Sequence, residues 1–423
     1  MSDFLKKIST YTLANTLNKG VIFLLIPFLT AYLTLEEQGA LSLFTTSLAV
    51  LSPLVALQIT GAINVEYFRK EFGEAAFPRY VSSALAVSFF SFLMLSTVVV
   101  LFRDELYDFL ELQPLYLLIL PFVAFLVAWL EVLKVNYIIR GQAIRFGVFL
   151  LGLTLLDLLL SITLVAKFDL GVVGRIWGVV APKIIFGFIA ARLLFKGQLL
   201  TRDVRKIYLK DVLRFGIPLL PHALGGIMLH SADQFFIKSM VGLEELGVYS
   251  IAYRIGSVIM LIDVSFNQAF SPFMFRGLKV GSKPELVKIL RIAVLYAIGL
   301  VACSIMLYLL LPYLYHFFVD QRYHAGQVYV MWIAMGYVLL GIYKVFTNFL
   351  FFHKKTRIVG AITISCAMLN IAMNYFFIQK FGTIGAAYST LISFFAFLIA
   401  TGVAAHQYND FPWREVFKLE KHD

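Results

Sequence analysis

Long apolar stretches alternate with short polar segments along the whole chain. Each stretch has about 20 residues or more, which is the length that a helix rising 1.5 Å per residue needs to cross about 30 Å of hydrocarbon. The stretches are continuous and lack the alternating pattern of a membrane β-strand. The pattern predicts twelve transmembrane helices, at residues 12–33, 38–61, 79–102, 114–135, 145–166, 172–194, 214–237, 246–270, 289–311, 327–351, 358–378 and 383–405.

Composition supports a polytopic membrane protein. The 423 residues are 60% hydrophobic and only 14% charged, and the mean hydropathy is +0.85, which is too apolar for a water-soluble protein. Both cysteines, Cys303 and Cys366, lie inside apolar stretches, so the sequence indicates no disulfide framework, no metal site and no cofactor.

The basic residues predict the orientation. If the N-terminus is cytoplasmic, 25 of the 36 Lys and Arg lie in or beside the inner segments, and only five lie in the outer connections. The positive-inside rule then predicts that both termini are cytoplasmic. The net charge of +11 follows from this asymmetry and requires no nucleic-acid partner. The five outer residues are Arg103, Lys167, Lys238, Arg322 and Lys380.

A short acidic segment occurs twice. LEEQGALS at residues 35–42 returns as LEELGVYS at residues 243–250, six predicted spans later. Other turns match at similar offsets, which favours an internal duplication. These matches are Asn136 and Arg145 with Asn348 and Arg357, and GVVGRIW from Gly171 with GTIGAAY from Gly382.

The duplication predicts two six-helix lobes around a central cavity. Each repeat has an even number of spans, so both enter the membrane from the same side and form a parallel repeat. The predicted lobes are residues 1–194 and 214–406, joined by a basic linker at 195–213 and followed by a cytoplasmic tail at 407–423. A ligand is expected between the lobes near the middle of the bilayer.

Ten charged residues within the predicted spans are candidates for a buried role. Each charge near the bilayer centre costs about 2.5–3.5 kcal/mol, so these side chains are expected to face protein or water. Lys19, Lys183 and Arg254 lie too deep to reach the surface easily and are predicted to line the cavity. The other cations are Arg175, Lys344 and Lys134, and the acidic residues are Glu131, Asp157, Asp233 and Asp263.

The remaining charges have more than one interpretation. Arg175 and Lys344 are candidate cavity cations, but each lies close enough to a span end to extend to the surface. Glu131 and Lys134 are three residues apart on one helix face, which predicts a structural ion pair. Asp157, Asp233 and Asp263 are either counter-ions of the cations or carriers of a coupling proton, and both interpretations stay open.

The excess of central cations favours an anionic ligand, most commonly phosphate. Motion is predicted as well, because Pro27 in the first span and Pro218 and Pro221 in the seventh each remove a backbone hydrogen bond and favour a bend. Such prolines also occur in static membrane helices, so a hinge is one of two interpretations.

Three segments resemble the polysaccharide transporter family, the O-antigen or Wzx-type lipid-linked oligosaccharide flippases. These proteins belong to the multidrug, oligosaccharidyl-lipid and polysaccharide exporter superfamily. The segments are YTLANTLNKGVIFLLIPFLTAYLTLEEQGALSLF, ADQFFIKSMVGLEELGVYSIAYRIG and LNIAMNYFFIQKFGTIGAAYSTLIS. Relatives often have Asp-Arg where this chain has Asp233-Gln234, so no contact of that arginine carries over.

The resemblance implies a function. It implies a flippase of the bacterial inner membrane that moves undecaprenyl-diphosphate-linked oligosaccharide from the cytoplasmic to the periplasmic leaflet by alternating access. The diphosphate would explain the cavity cations, and contact with a polysaccharide polymerase or other assembly proteins is left open.

Two other classes of protein are alternatives to a flippase. A cation-coupled multidrug antiporter of the same superfamily commonly has a carboxylate in its first or seventh helix, but the first span here has Lys19 instead, and only Asp233 keeps this alternative open. A membrane enzyme would need a catalytic constellation, and none is apparent, so a non-enzyme is predicted.

Overall fold

The computed structural model describes residues 17–18, 20, 25–69 and 71–417, and every regular element in these residues is helical. Ten helices of the described chain are long and apolar enough to span a membrane, and a pair bent by 40° makes an eleventh. Residues 12–16, 19 and 21–24 of the predicted first span lie outside the described residues, and residues 25–32 are helical. The predicted all-α polytopic membrane fold is confirmed, with ten or eleven of the twelve predicted spans in the described residues.

We number the helices in chain order, and short non-α turns occur at Glu74–Ala76, Thr163–Lys167 and Gln321–Gly326. The helices are α1 Leu35–Ala56, α2 Ile59–Arg69, α3 Phe77–Leu101, α4 Arg103–Leu110, α5 Pro114–Ile139, α6 Ala143–Ile162, α7 Gly171–Lys196, α8 Lys206–Met240, α9 Leu243–Gly256, α10 Ile259–Val280, α11 Lys283–Phe318, α12 Gln327–Phe352, α13 Thr356–Phe381, α14 Ile384–His406 and α15 Trp413–Val416.

Several helices extend beyond the apolar stretches that predicted them. Helix α8 begins at Lys206 instead of residue 214, and α11 has 36 residues, which is about 54 Å of helix and longer than the hydrocarbon layer is thick. Hydropathy marks where side chains become polar, whereas backbone hydrogen bonding continues into the polar turns. Residues 206–213 of the predicted linker are therefore helical.

Contacts divide the chain into two compact units, unit 1 from Met1 to Gly247 and unit 2 from Val248 to Asp423. The predicted lobe boundaries concern the sequence repeat, and they stay a prediction. At one end of unit 1, helices α2, α3, α5, α7 and α8 share an apolar core. Its fully buried side chains include Ile63, Val81, Val132, Ala190 and Val212, each 0% exposed.

In unit 2, α12 packs along α14, and polar residues join α14 to α13. Gly336 admits the Phe394 ring, because a Cβ atom at this position would lie 3.2 Å from the ring. Asn370 Nδ2 on α13 donates to Ser393 Oγ on α14 at 3.3 Å, and Asn374 Nδ2 supports Asn370 from the next turn of α13 by donating to its Oδ1 atom at 3.0 Å. Buried interhelical hydrogen bonds of this kind hold membrane helices together without a hydrophobic driving force.

Glu37 joins the repeated acidic turn to the start of α7. Its side chain accepts from Thr34 N at 2.9 Å, while Thr34 Oγ1 accepts from Glu37 N, so the two residues form a capping box at the start of α1. The Glu37 Oε1 atom also accepts from Val172 N at 3.0 Å, and Gly171 has a φ of 50°. A side chain at Gly171 would overlap the carboxylate, so LEEQG and GVVG form one structural unit.

Candidate functional site

Unit 1 has a buried polar cluster between α6 and α7, which we call the N-terminal cluster. It contains Asp157, Ser161, Arg175 and Lys183. Arg175 Nη1 donates to Asp157 Oδ1 at 2.5 Å and to Ser161 Oγ at 2.6 Å. Arg175 is 7% exposed, so the side chain lies inside the unit and does not extend to the surface. The helices approach closely at Gly178, where a Cβ atom would lie 2.9 Å from Ser161 Cα.

Lys183 lies on the same face of α7, two turns beyond Arg175. Its Nζ atom donates to the carbonyl oxygen of Val179, one turn back on its own helix, at 3.0 Å. Within the described residues it forms no ion pair, whereas Asp157 is already bonded to Arg175. The described part of the chain gives this half-buried ammonium group a single neutral acceptor, and its other two donors are not used by these residues.

Unit 2 has a second cluster, the C-terminal cluster, whose centre is Asp263 on α10. The Asp263 side chain is 1% exposed and forms an ion pair with Lys344 on α12. Its Oδ1 atom also accepts from Tyr296 Oη and from Asn267 Nδ2, both at 2.8 Å. Asn348 Nδ2 then donates to Asn267 Oδ1 at 3.2 Å. Because three donors surround it, this carboxylate is well satisfied as an anion.

Lys344 therefore differs from Lys183 in its surroundings. The Lys344 side chain is 30% exposed and Asp263 is buried, so the amine covers a carboxylate that water scarcely reaches. The Tyr296 ring stacks on Phe266 with centroids 3.7 Å apart, which fixes the hydroxyl against Asp263. Asp263 forms an ion pair with Lys344, and Asp157 forms one with Arg175. Whether either carboxylate also carries a coupling proton stays a prediction.

Two further predicted site residues, Arg254 and Asp233, lie on other helices. Arg254 is half-buried in the last turn of α9, immediately before the bend to α10. Asp233 on α8 is 2% exposed, and its Oδ1 atom accepts from Gln234 N at 2.9 Å. Lys19 lies outside the described residues. The convergence of Lys19, Lys183 and Arg254 on one cavity stays a prediction.

Glu131 and Lys134 form the ion pair at one end of α5, with 2.6 Å between Oε1 and Nζ. Their side chains are 45% and 22% exposed, so water weakens the attraction and the contribution to stability is small. Pro218 and Pro221 lie inside the continuous helix α8, and Pro27 lies in the helical run 25–32. The predicted hinge stays a prediction.

Three residues that join helices were not predicted from the sequence. The Gln234 Oε1 atom accepts from Ser42 Oγ at 2.6 Å and from Thr46 Oγ1 at 2.7 Å, which links α8 to α1. Glu37 and Tyr296 were not singled out either, although each joins two helices. The repeated Glu-Glu pair in LEEQG and LEELG was the available signal for Glu37, whereas nothing in the sequence distinguished Tyr296 from the other 20 tyrosines.

A cavity of about 890 Å³ lies at one end of unit 2, under the C-terminal segment, and none of the predicted site residues lines it. The segment is held by Arg291, which donates to the carbonyl oxygens of Glu415 and Val416. Lys283 Nζ lies 2.5 Å from Glu415 Oε1. The residues that line the cavity include Phe352, His353, Asp410, Trp413 and Arg414.

Solved structures with a similar fold are membrane transporters. An inward-facing multidrug resistance MATE family transporter of the MOP superfamily is 16% identical, has a TM-score of 0.75, and is similar over 92% of this chain and 94% of its own. The lipid II flippase MurJ in an inward closed conformation is 14% identical, also with a TM-score of 0.75, over 96% of this chain and 88% of its own. These similarities show a shared fold.

Two curated proteins and two family models match this chain. Two Haemophilus influenzae proteins are similar along most of their length: an "Uncharacterized membrane protein", 22% identical over 87% of this chain and 88% of its own, and "Lsg locus putative protein 1", 21% identical over 86% and 88%. The MatE model matches residues 224–376. The model described as "Polysaccharide biosynthesis protein" matches residues 4–278, more than half of the chain, and the chain therefore belongs to the polysaccharide biosynthesis protein family.

Proposed function

We propose that this protein is a flippase for undecaprenyl-diphosphate-linked oligosaccharide, such as an O-antigen or another surface polysaccharide repeat unit. One observation carries the proposal: a chain of a polysaccharide biosynthesis family has the fold of a polytopic transporter. A polysaccharide pathway with a membrane-bound intermediate requires a step that moves the saccharide across the bilayer, and such a step needs no bond-making residues.

The N-terminal cluster supports an anionic substrate. Among the described residues, the Lys183 ammonium donates to the Val179 carbonyl oxygen and forms no ion pair, because Asp157 is bonded to Arg175. A cation kept only for packing would be costly in a membrane. A diphosphate offers several acceptor oxygens, and charge-assisted hydrogen bonds would offset the desolvation of the ammonium. Lys183 is thus assigned to the diphosphate, and Asp157 orients the neighbouring Arg175.

We place the protein in the bacterial inner membrane with both termini in the cytoplasm, and we assign it transport from the cytoplasmic to the periplasmic leaflet by alternating access. The excess of basic residues in the inner segments supports this orientation. The protein is proposed to be a non-enzyme without a cofactor.

A cation-coupled multidrug antiporter is the second candidate, because the MatE model matches residues 224–376. Such a protein needs a carboxylate that is released and protonated during the cycle. Asp157 and Asp263 are each bonded to a cation, and Asp233, which is 2% exposed on α8, is the carboxylate that the sequence kept open for this role. This candidate predicts a drug-resistance phenotype and no effect on surface saccharide.

Deletion of the gene tests the proposal. We expect the deletion strain to lose a surface polysaccharide and to accumulate the lipid-linked repeat unit in the inner leaflet, with both effects reversed by the wild-type gene. The measurements are surface saccharide and lipid-linked intermediate, compared with sensitivity to cationic drugs in the same strains. Unchanged saccharide together with increased drug sensitivity would favour the antiporter.

A further inference from the structure

The two copies of the acidic turn contact each other. A Cβ atom at Gly39 in α1 would lie 2.9 Å from the carbonyl carbon of Leu243 and 3.3 Å from Gly247 N. A Cβ atom at Gly247 in α9 would lie 2.8 Å from the carbonyl carbon of Leu35 and 3.2 Å from Gly39 N. The matching distances of the two copies agree to within 0.2 Å, as expected of two copies related by a local twofold axis.

Only glycine fits at these two positions. A methyl group at either residue would overlap the carbonyl oxygen of the facing turn, so the glycine hydrogens occupy that space and make Cα–H···O contacts. Small residues let helix backbones approach this closely in membranes. The glycine shared by LEEQG and LEELG is therefore explained by the contact between the two copies.

Hydrogen bonds continue the contact along α1. Ser42 and Thr46 follow Gly39 by three and seven residues and lie on the same helix face. Both hydroxyls donate to Gln234 Oε1 on α8, and Gln234 is 8% exposed. We call the whole contact the outer seam; it comprises Gly39, Ser42, Thr46, Gln234 and Gly247.

The α1 turn is fixed to its own repeat more firmly than to the other. Glu37 bonds Thr34 N and, through a charge-assisted hydrogen bond, Val172 N at the start of α7. The seam includes close backbone contacts at the two glycines and two neutral hydrogen bonds to Gln234, and none of its five named members carries a charge.

We infer that the outer seam is the gate that closes the predicted outer side of the protein and parts when the substrate leaves. The inference rests on the proposed function, because a saccharide cannot pass between two backbones in direct contact. The two glycines determine the equilibrium between the closed and the open state of the seam. Adding a methyl group to either one forces the turns apart and favours the open state.

The first test measures opening by thiol labelling. The background protein has Cys303→Ser and Cys366→Ala, and Ser42→Cys provides a thiol at a position that is 4% exposed. A membrane-impermeant maleimide is added from outside the cell. We expect Gly39→Ala to raise the labelling rate about tenfold, since destabilising a closed state increases the open population in proportion. Gly360→Ala is the matched control, because no atom lies within 4 Å of a Cβ there, and it should leave the rate unchanged.

The second test locks the seam without adding bulk at the glycines, and it applies even if Gly39→Ala fails to fold. Ser42→Cys and Gln234→Cys are joined by a short, reducible bis-methanethiosulfonate. We expect cross-linking to abolish saccharide export and reduction to restore it.

The outcomes separate the gate from the function. Export that continues at the uncross-linked rate after complete cross-linking would overturn the gate and leave the flippase intact. Labelling of Gly39→Ala at the background rate, at normal abundance, would also overturn it. Absence of export before any cross-linking, in a protein of normal abundance, would instead count against the proposed function.

Discussion

Replacing Lys344 by Met should remove most of the folded protein from the membrane. The change leaves the Asp263 carboxylate, which is 1% exposed, without its cation, and breaking a buried pair in this way costs about 3–5 kcal/mol. That loss is a large part of the total stability of a typical protein, about 5–15 kcal/mol. The measurement is the folded fraction in detergent by size exclusion, together with the unfolding temperature.

A second substitution identifies the cause. Asp263→Asn removes the uncompensated charge and keeps an oxygen that can accept from Tyr296 Oη, so the double variant Lys344→Met/Asp263→Asn should recover much of the folded protein. Mutations of residues in direct contact show such coupling, whereas the stability effects of mutations at independent sites are additive. If Lys344→Met folds at the wild-type level, or if Asp263→Asn gives no recovery, the two side chains do not act as a pair.

Arg175→Met should also reduce the folded fraction strongly, whereas Lys183→Met should not. Arg175 donates to both Asp157 and Ser161, and its loss leaves a largely buried carboxylate unpaired, at a cost of about 3 kcal/mol. Lys183 has no carboxylate partner in the described residues, and removing a cation from the membrane interior relieves about 2.5–3.5 kcal/mol of insertion cost.

The two variants lie two turns apart on α7, so each serves as a control for the other. Arg175→Lys should recover part of the stability, because the charge remains but a single ammonium cannot reproduce the geometry of the guanidinium group. The measurement is folded protein at matched expression. Equal losses for Arg175→Met and Lys183→Met would mean that Lys183 has a structural role.

The sequence predicted the depth of each charge but not the direction in which it points. Lys183 and Arg175 lie on one face of α7, and both were candidate cavity cations. Only the structure showed that Arg175 meets Asp157 across the helix pair while Lys183 bonds its own helix. Hydropathy locates a residue along the membrane normal, whereas its partner depends on helix rotation, which packing against neighbouring helices determines.

The contacts of the repeated turns could not be predicted from the sequence either. Their sequence similarity predicted a duplication, and Glu37 belonged to the repeated segment. Its bond to Val172 N, 135 residues later, and the approach of Gly39 to Leu243 required knowledge of how the helices pack. The hydropathy pattern also failed to predict some helix ends. Helix α8 begins at Lys206, and the apolar stretch begins later because the first turns of the helix are polar.

The central claim is that this protein moves a diphosphate-linked saccharide across a bilayer and uses Lys183 to hold the diphosphate. The most direct measurement is the initial rate of translocation of an undecaprenyl-diphosphate-linked oligosaccharide in proteoliposomes, normalised to the amount of folded protein. Wild-type protein should translocate the lipid, Lys183→Met should lower the rate at least about tenfold, corresponding to about 1.4 kcal/mol of lost interaction, and Lys183→Arg should keep part of it. No translocation by the wild-type protein, or an unchanged rate in Lys183→Met, would contradict the account.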